Sequence, residues 1–106
     1  MNDDILILSG EQVGRLLVGR ESEIIDEVRR AYLAHGRGAD SLPHSTFLRF
    51  PNQQNRIIAL PAYLGDKWEV AGLKWVASFP GNLESGLDRA SALLIVNSPQ
   101  TGRPEA

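Results

Sequence analysis

The stretch that decides the fold is residues 68–79, WEVAGLKWVASF, in which aromatic, β-branched and small apolar residues surround one cation, Lys74. This composition favours a β-strand. Three other segments share it and are predicted as strands: residues 46–50, 56–63 and 90–97. Turn-forming residues separate the strands, at Pro51-Asn52, Gly65-Asp66, Pro80-Gly81-Asn82 and Ser98-Pro99. Short loops of this kind favour antiparallel pairing of neighbouring strands.

The segment before these strands has mostly helical patterning. Residues 5–8 are apolar and predict a short strand, after which Ser9 and Gln12 have the spacing of a capping box. A short helix is predicted over residues 10–18. A second helix is predicted over residues 21–35, because residues at intervals of three and four share one face there. That face consists of Ile24, Ile25, Val28, Ala31, Tyr32 and His35.

Together these elements predict an α+β fold, with one or two N-terminal helices packed on an antiparallel β-sheet. A chain of 106 residues fits one domain. No repeat or linker divides the sequence, so residues 1–106 are treated as a single domain.

Composition excludes several classes of function. The net charge of -2 gives no general attraction to nucleic acid or to an anionic membrane. Without cysteine the chain has no disulfide, no thiolate metal site and no cysteine nucleophile. No apolar run approaches the roughly 20 residues that span a bilayer. Asp3 and Asp4 stand where a signal peptide has basic residues, so we expect a cytoplasmic protein.

Charged residues inside apolar strands are the candidates for binding. Lys74 needs a partner or a path to water, because an unpaired buried charge is costly. It is either a lysine whose head reaches solvent or one that faces a cavity for an anion. Arg49 is either a surface arginine or a ligand for a carboxylate, which its planar guanidinium suits. We predict that Lys74 and Arg49 lie on adjacent strands and point into one hollow.

The remaining polar residues are less specific. Arg56 opens a strand and fits either role, whereas Arg89 precedes an apolar run and could be a strand-edge charge. His35 is predicted to be a packed or capping residue. His44 has no partner at metal-ligand spacing, so no metal site is predicted. The glycines form no Gly-x-Gly-x-x-Gly motif, so no cofactor-binding residue is assigned.

Several motifs, in this order, resemble one known family. They are RIIALPA at 56–62, AGLKWV at 71–76, FPGN at 79–82, the apolar stretch 87–97 and TGRP at 101–104. Together they are similar to the ornithine cyclodeaminase and mu-crystallin family, which has a Leu-Pro or Met-Pro strand, a Gly-x-Lys strand, a Pro-Gly-Asn turn and a closing Thr-Gly-x-Pro. The resemblance covers nearly the whole chain.

The resemblance implies a substrate-binding and dimerisation domain, followed in sequence by a Rossmann domain that binds NAD. By position, Lys74 and Arg49 would hold a substrate carboxylate, and Lys74 would also be catalytic by assisting proton movement. The Rossmann domain lies outside these residues, so this chain alone is expected neither to bind NAD in the family manner nor to turn over. A separate Rossmann-domain chain is a second possible partner, beside a homodimer.

Within the family, Asp88-Arg89-Ala90-Ser91 and Leu73-Lys74-Trp75 most resemble the dehydrogenases of 2,3-diaminopropionate biosynthesis. Those enzymes oxidise N-(1-amino-1-carboxy-2-ethyl)glutamate with NAD and release diaminopropionate and 2-oxoglutarate. The cyclodeaminases carry an acidic residue where this chain has Ile58, which argues against ornithine. A substrate with three carboxylates needs more cations, and we expect Arg89, with Arg56, to hold a distal one.

Two other hypotheses stay open at this point. The chain could be a non-catalytic ligand-binding module of the mu-crystallin type. It could also be a small dimerisation domain. Binding of an amino-acid dicarboxylate separates a ligand-binding protein from a structural one.

Overall fold

Two helices precede a five-stranded antiparallel sheet in the computed structural model of the chain, which describes residues 4–52 and 54–106. The helices are α1 (Gly10–Leu17) and α2 (Glu21–Gly36). The strands are β1 (Asp40–Ser41), β2 (Thr46–Arg49), β3 (Arg56–Leu64), β4 (Val70–Ser78) and β5 (Ala90–Asn97). A 3₁₀ helix, Pro80–Ser85, joins β4 to β5. Asp3 lies outside the described residues. Within them, neither helix is long and apolar enough to cross a membrane.

Strand β3 is the central strand of the sheet and pairs with β1, β2 and β4. Along its whole length β3 pairs with β4, which in turn pairs with β5. On the other side of β3, β2 lies opposite Arg56 to Ala59 and β1 lies opposite Tyr63 and Leu64. Pro61 falls between these two partners, and it has no N–H to donate to a ladder. Proline is therefore tolerated in the middle of this strand because no described strand lies on the outer side of β3 there.

The helix boundaries confirm the sequence prediction to within one residue. The Ser9 side chain accepts a hydrogen bond from the Gln12 amide at 3.1 Å, and the Gln12 side chain accepts one from the Ser9 amide at 2.8 Å. This capping box starts α1 as its spacing indicated. Helix α2 ends at Gly36, and Gly38 follows with a φ of 75°.

Two predictions about strands were wrong, and one short strand was missed. Residues 5–8 form no strand, although the Leu6 amide donates to the Glu105 carbonyl at 2.9 Å. Trp68 precedes β4 and lies in the β3–β4 turn, where its amide donates to Gly65 at 3.2 Å. Asp66 and Glu69 have φ values of 57° and 42°, which an extended strand does not permit. Strand β1 was not predicted, because two residues are too few for a recognisable alternation.

The apolar face predicted for α2 is exposed in the structure. Ile25 is 65% and Tyr32 is 73% exposed, whereas Ala34, on another part of the helix, is fully buried. Helix α2 meets the sheet near its C-terminal end, where the Ala39 amide donates to the Ala34 carbonyl and the Gly65 amide donates to Ala39. Periodicity indicates which face of a helix is apolar and does not indicate what covers that face.

Large apolar side chains are exposed on both faces of the sheet. Leu93 and Leu94, which point to opposite faces of β5, are 62% and 63% exposed. Ala34 is the buried hydrophobic residue among those described. The radius of gyration is 16.2 Å, compared with about 13 Å for a compact chain of this length. The described residues therefore leave much apolar surface for another surface to cover.

Polar contacts attach α2 to the β3–β4 turn. Glu27 accepts hydrogen bonds from Lys67 Nζ at 2.8 Å and Trp68 Nε1 at 2.9 Å, and Arg37 pairs with Asp66. The hydrogen bond from Lys67 is the largest cause that lowers the pKa of Glu27, followed by that from Trp68. The Glu27 carboxylate is thus stabilised in its ionised form and holds the turn against the helix.

Candidate functional site

The register of the strands places three cations on one face of the sheet. Residues directly opposite each other in an antiparallel pair share a face, and alternate residues along a strand share it too. Arg49 lies opposite Arg56, and Arg56 lies opposite Ser78. Lys74 is four residues before Ser78 on β4, so its side chain projects from the same face. We call the face that carries Arg49, Arg56 and Lys74 the cationic face.

The prediction that Arg49 and Lys74 lie on adjacent strands was wrong. Strand β3 separates them, because β2 and β4 each form an antiparallel pair with it. The two Cα positions are offset by two strand spacings, about 10 Å, and by four residues along the strands, about 13 Å. Arg49 and Lys74 therefore lie at different ends of a shared surface rather than side by side.

Three arginines gather at one end of the cationic face. Arg49 and Arg56 are cross-strand partners. Arg89, just before β5, donates from Nη1 to the Ser78 hydroxyl at 2.7 Å, and Ser78 is the β4 partner of Arg56. We call Arg49, Arg56 and Arg89 the arginine row.

No carboxylate neutralises these cations within residues 4–52 and 54–106. The ion pairs there lie on α1, at the ends of α2 and at the β3–β4 turn. Like charges placed directly opposite on a sheet repel each other. Guanidinium groups are also well shaped for two parallel hydrogen bonds to a carboxylate. The arginine row is thus an arrangement that an anion would stabilise.

Phe47 lies beside two members of the arginine row. The guanidinium carbon of Arg49 is 5.2 Å from the centroid of the Phe47 ring, and that of Arg56 is 5.8 Å away. The sequence prediction missed both Phe47 and Ser78, since an aromatic or a serine in a strand is ordinary. The available signal was that Phe47 precedes Arg49 by two residues and so shares its face.

An apolar band separates the arginine row from Lys74. One cross-strand row of this band contains Phe47, Ile58, Val76 and Ala92. Lys74 itself lies between Leu60 and Leu94. The cationic face thus presents positive charge at two places with apolar surface between them. Such a surface suits a small ligand that carries more than one anionic group and an aliphatic stretch.

Other residues considered from the sequence lie elsewhere. His35 Nδ1 is 2.6 Å from Asp40 Oδ2, which ties the end of α2 to β1. His44 is in the loop before β2. Trp75 alternates with Lys74 and projects from the opposite face of the sheet. None of these three residues belongs to the cationic face.

An open cleft of about 200 Å³ lies between α2 and the β3–β4 turn. Its lining includes Arg37, Asp66, Lys67 and Trp68, most of which are already engaged in the contacts that hold the turn to the helix. This cleft is at the opposite end of β3 and β4 from the arginine row. The volume of the cleft alone therefore does not identify the binding surface. The cations of the cationic face, which have no carboxylate partner among the described residues, indicate it better.

The sequence profile of the ornithine cyclodeaminase/mu-crystallin family matches residues 5–106. The chain belongs to this family. Its two N-terminal helices followed by an antiparallel sheet are also the fold of the matching segment of a dehydrogenase.

Two curated relatives are dehydrogenases. Alanine dehydrogenase from Archaeoglobus fulgidus is 38% identical over 103 residues, which cover 97% of this chain and 30% of the relative. N-((2S)-2-amino-2-carboxyethyl)-L-glutamate dehydrogenase from Staphylococcus aureus is 28% identical over 111 residues, covering 100% of this chain and 33% of the relative. The chain thus spans about a third of the length of the family members that it matches.

A solved structure in the family has the same fold. It is an archaeal alanine dehydrogenase dimer with bound NAD, 38% identical in sequence, with a TM-score of 0.81. The superposition covers 94% of this chain and 29% of that chain. The predicted α+β architecture is confirmed by this likeness.

Proposed function

We propose that residues 1–106 are the substrate-binding and dimerisation part of an NAD-dependent amino-acid dehydrogenase or cyclodeaminase-type enzyme. The observation that carries the proposal is the cationic face, where an arginine row and Lys74 have no carboxylate partner among the described residues. Lys74 and Arg49 would each bind a substrate carboxylate at their own end of the cationic face, and Lys74 would also move a proton at the reacting carbon or nitrogen.

The described residues do not fit NAD. A Rossmann site needs a glycine-rich turn that leads from a strand into a helix, whereas both α-helices here precede the sheet. We therefore assign no cofactor contact to this chain. NAD would be bound by a Rossmann domain that follows in sequence, or by a separate chain that carries one. Within the proposed enzyme, the residues of this chain hold and orient the substrate.

The substrate proposed is N-(1-amino-1-carboxy-2-ethyl)glutamate, an intermediate of 2,3-diaminopropionate biosynthesis. The named activity of the Staphylococcus aureus relative supports this choice. So does the number of cations, because three carboxylates need more partners than alanine or ornithine does. Ile58 lies on the apolar band of the cationic face, where a substrate amine would find no acid. Arg89 and Arg56 would hold the distal carboxylate.

Arg89→Ala tests this assignment. We expect the affinity of the chain for N-(1-amino-1-carboxy-2-ethyl)glutamate to fall by about tenfold or more, since a hydrogen bond to a charged group contributes about 1.5–3 kcal/mol. Affinity for L-alanine, which has no distal carboxylate, should stay unchanged. Calorimetric titration measures both ligands. Arg15→Ala is the matched control, because Arg15 is on α1 and pairs with Glu11. Equal affinities of Arg89→Ala and the unmodified chain would remove the distal-carboxylate role.

We also propose that the chain forms a homodimer. The exposed apolar side chains of α1, α2 and the sheet support this, because uncovered surface of this extent is unusual for a monomer. The archaeal alanine dehydrogenase of the same fold is a dimer. Light scattering with increasing protein concentration should give twice the chain mass of 11.6 kDa. A well-behaved monomer at high concentration would contradict the proposal.

The alternative is a non-catalytic binding module of the mu-crystallin type. Such a module would have the same carboxylate-binding surface as the proposed enzyme but would catalyse no reaction. Ligand titration therefore tests the surface, and turnover beside a functional NAD-binding domain separates the two proposals.

A further inference from the structure

One aromatic ring on the cationic face contacts two cations at once. The Arg49 and Arg56 guanidinium groups lie 5.2 Å and 5.8 Å from the centroid of Phe47, within the range of a cation–π interaction. Neither guanidinium has a carboxylate partner among the residues that the structure describes. The ring thus supplies an electrostatic attraction that partly offsets the repulsion between two neighbouring arginines.

The strand register explains why Phe47 reaches both side chains. Phe47 is two residues before Arg49 on β2, so the two project from the same face. Phe47 also lies opposite Ile58, which is two residues after Arg56 on β3. Arg56 is therefore a diagonal cross-strand neighbour of Phe47, a position within reach of long side chains.

Core packing does not account for Phe47. Its side chain is 44% exposed, so packing against the described residues leaves nearly half of it uncovered. The third member of the arginine row is held differently, because Arg89 donates to the Ser78 hydroxyl and has no ring beneath it. The same surface therefore contains two arginines that depend on Phe47 and one that does not.

We propose that Phe47 is a positioning residue that orients Arg49 and Arg56 for a carboxylate ligand. This role rests on the proposed function. A guanidinium already held over a ring loses less conformational freedom when it binds an anion, so the bound complex forms at lower ligand concentration. Phe47 acts through the two arginines and needs no contact with the reacting atoms.

Phe47→Leu removes the ring and keeps an apolar side chain. We expect the dissociation constant for glutarate, a simple dicarboxylate, to rise about tenfold, because the two arginine side chains then have to be ordered when the ligand binds. Phe47→Tyr keeps the ring and should stay within about twofold of the unmodified chain, because its π-face serves the same role. NMR of the full chain during glutarate titration gives these affinities and also resolves the Nε–H signals of the arginines. In Phe47→Leu the Arg49 and Arg56 signals should move towards those of a free arginine, while that of Arg89 stays in place.

The outcomes separate the two proposals. If the unmodified chain shows no saturable shift with glutarate, the proposed function is contradicted, and the positioning role is contradicted with it. If the unmodified chain binds glutarate and Phe47→Leu binds it equally well, only the positioning role is wrong. Thermal unfolding of each variant detects loss of fold. If Phe47→Leu has lost its fold, it is replaced in the same comparison by Phe47→Met, which also lacks the ring and has a more flexible side chain.

Discussion

Lys74→Met should lower kcat/KM by about a hundredfold or more in an enzyme that contains this segment. The test enzyme is a chimera in which residues 1–106 replace the matching segment of Archaeoglobus fulgidus alanine dehydrogenase, which is 38% identical over 97% of this chain and supplies the remaining length. Lys74 lies between Leu60 and Leu94, with the arginine row at the far end of the face, so no other cation of the cationic face replaces it. Loss of a group that moves a proton typically costs 10²–10⁴-fold. NADH formation with N-(1-amino-1-carboxy-2-ethyl)glutamate and with L-alanine measures the effect.

Lys67→Met is the matched control for this experiment. Lys67 also belongs to the β3–β4 hairpin, but its ammonium group is bound to Glu27 at the opposite end from the arginine row. Turnover of that variant should stay close to that of the parent chimera. Full activity of Lys74→Met would contradict the catalytic role. A parent chimera that binds the amino acid but forms no NADH would favour the non-catalytic alternative.

Gly72→Ala should destabilise the sheet by about 1–3 kcal/mol, the range of a steric insertion into packed structure. Gly72 lies opposite Val96 in the β4–β5 pair. A Cβ added there would be 2.4 Å from the Ile95 carbonyl oxygen, which is a backbone atom and cannot rotate away. Strands β4 and β5 would have to separate locally. The midpoint of urea unfolding, followed by circular dichroism at constant m-value, measures the loss.

Gly81→Ala distinguishes steric conflict from a general effect of replacing glycine. A Cβ at Gly81 meets no atom within 4 Å, and its backbone does not require glycine. We expect the urea-unfolding midpoint of Gly81→Ala to match that of the unmodified chain closely. Equal urea-unfolding midpoints for Gly72→Ala and Gly81→Ala would contradict the expectation, because β5 would then move away from residue 72 at little cost in stability. The glycine of the Gly-x-Lys motif thus has a structural reason, since it lets β5 approach the strand that carries Lys74.

Contacts between residues close together in the sequence were predictable, and contacts between residues far apart in the sequence were not. The capping box joins residues three apart, so Ser9 and Gln12 were sufficient to place the start of α1. The contacts of Glu27 with Lys67 and Trp68 span 40 and 41 residues, and no local pattern indicates them. Composition alone therefore predicts a strand at Trp68, although its contact with Glu27 holds it in a turn.

The candidate site was predictable in part for the same reason. Charge inside apolar strands pointed to Lys74 and Arg49, and alternation is sufficient to place each side chain relative to its own strand. The order of strands in the sheet decides the distance between Lys74 and Arg49, and the sequence of neither strand indicates that order. Phe47 carries no charge, so only its contacts with two guanidinium groups revealed it.

Pro61 has a consequence for how copies of this molecule can associate. It interrupts the outer margin of β3 between β2 and β1, and a peptide laid along that margin would find no continuous run of donors. Strand addition directly to β3 is therefore discouraged in the gap between β2 and β1. In the proposed homodimer, two copies would instead meet through the broad apolar surfaces and close on each other.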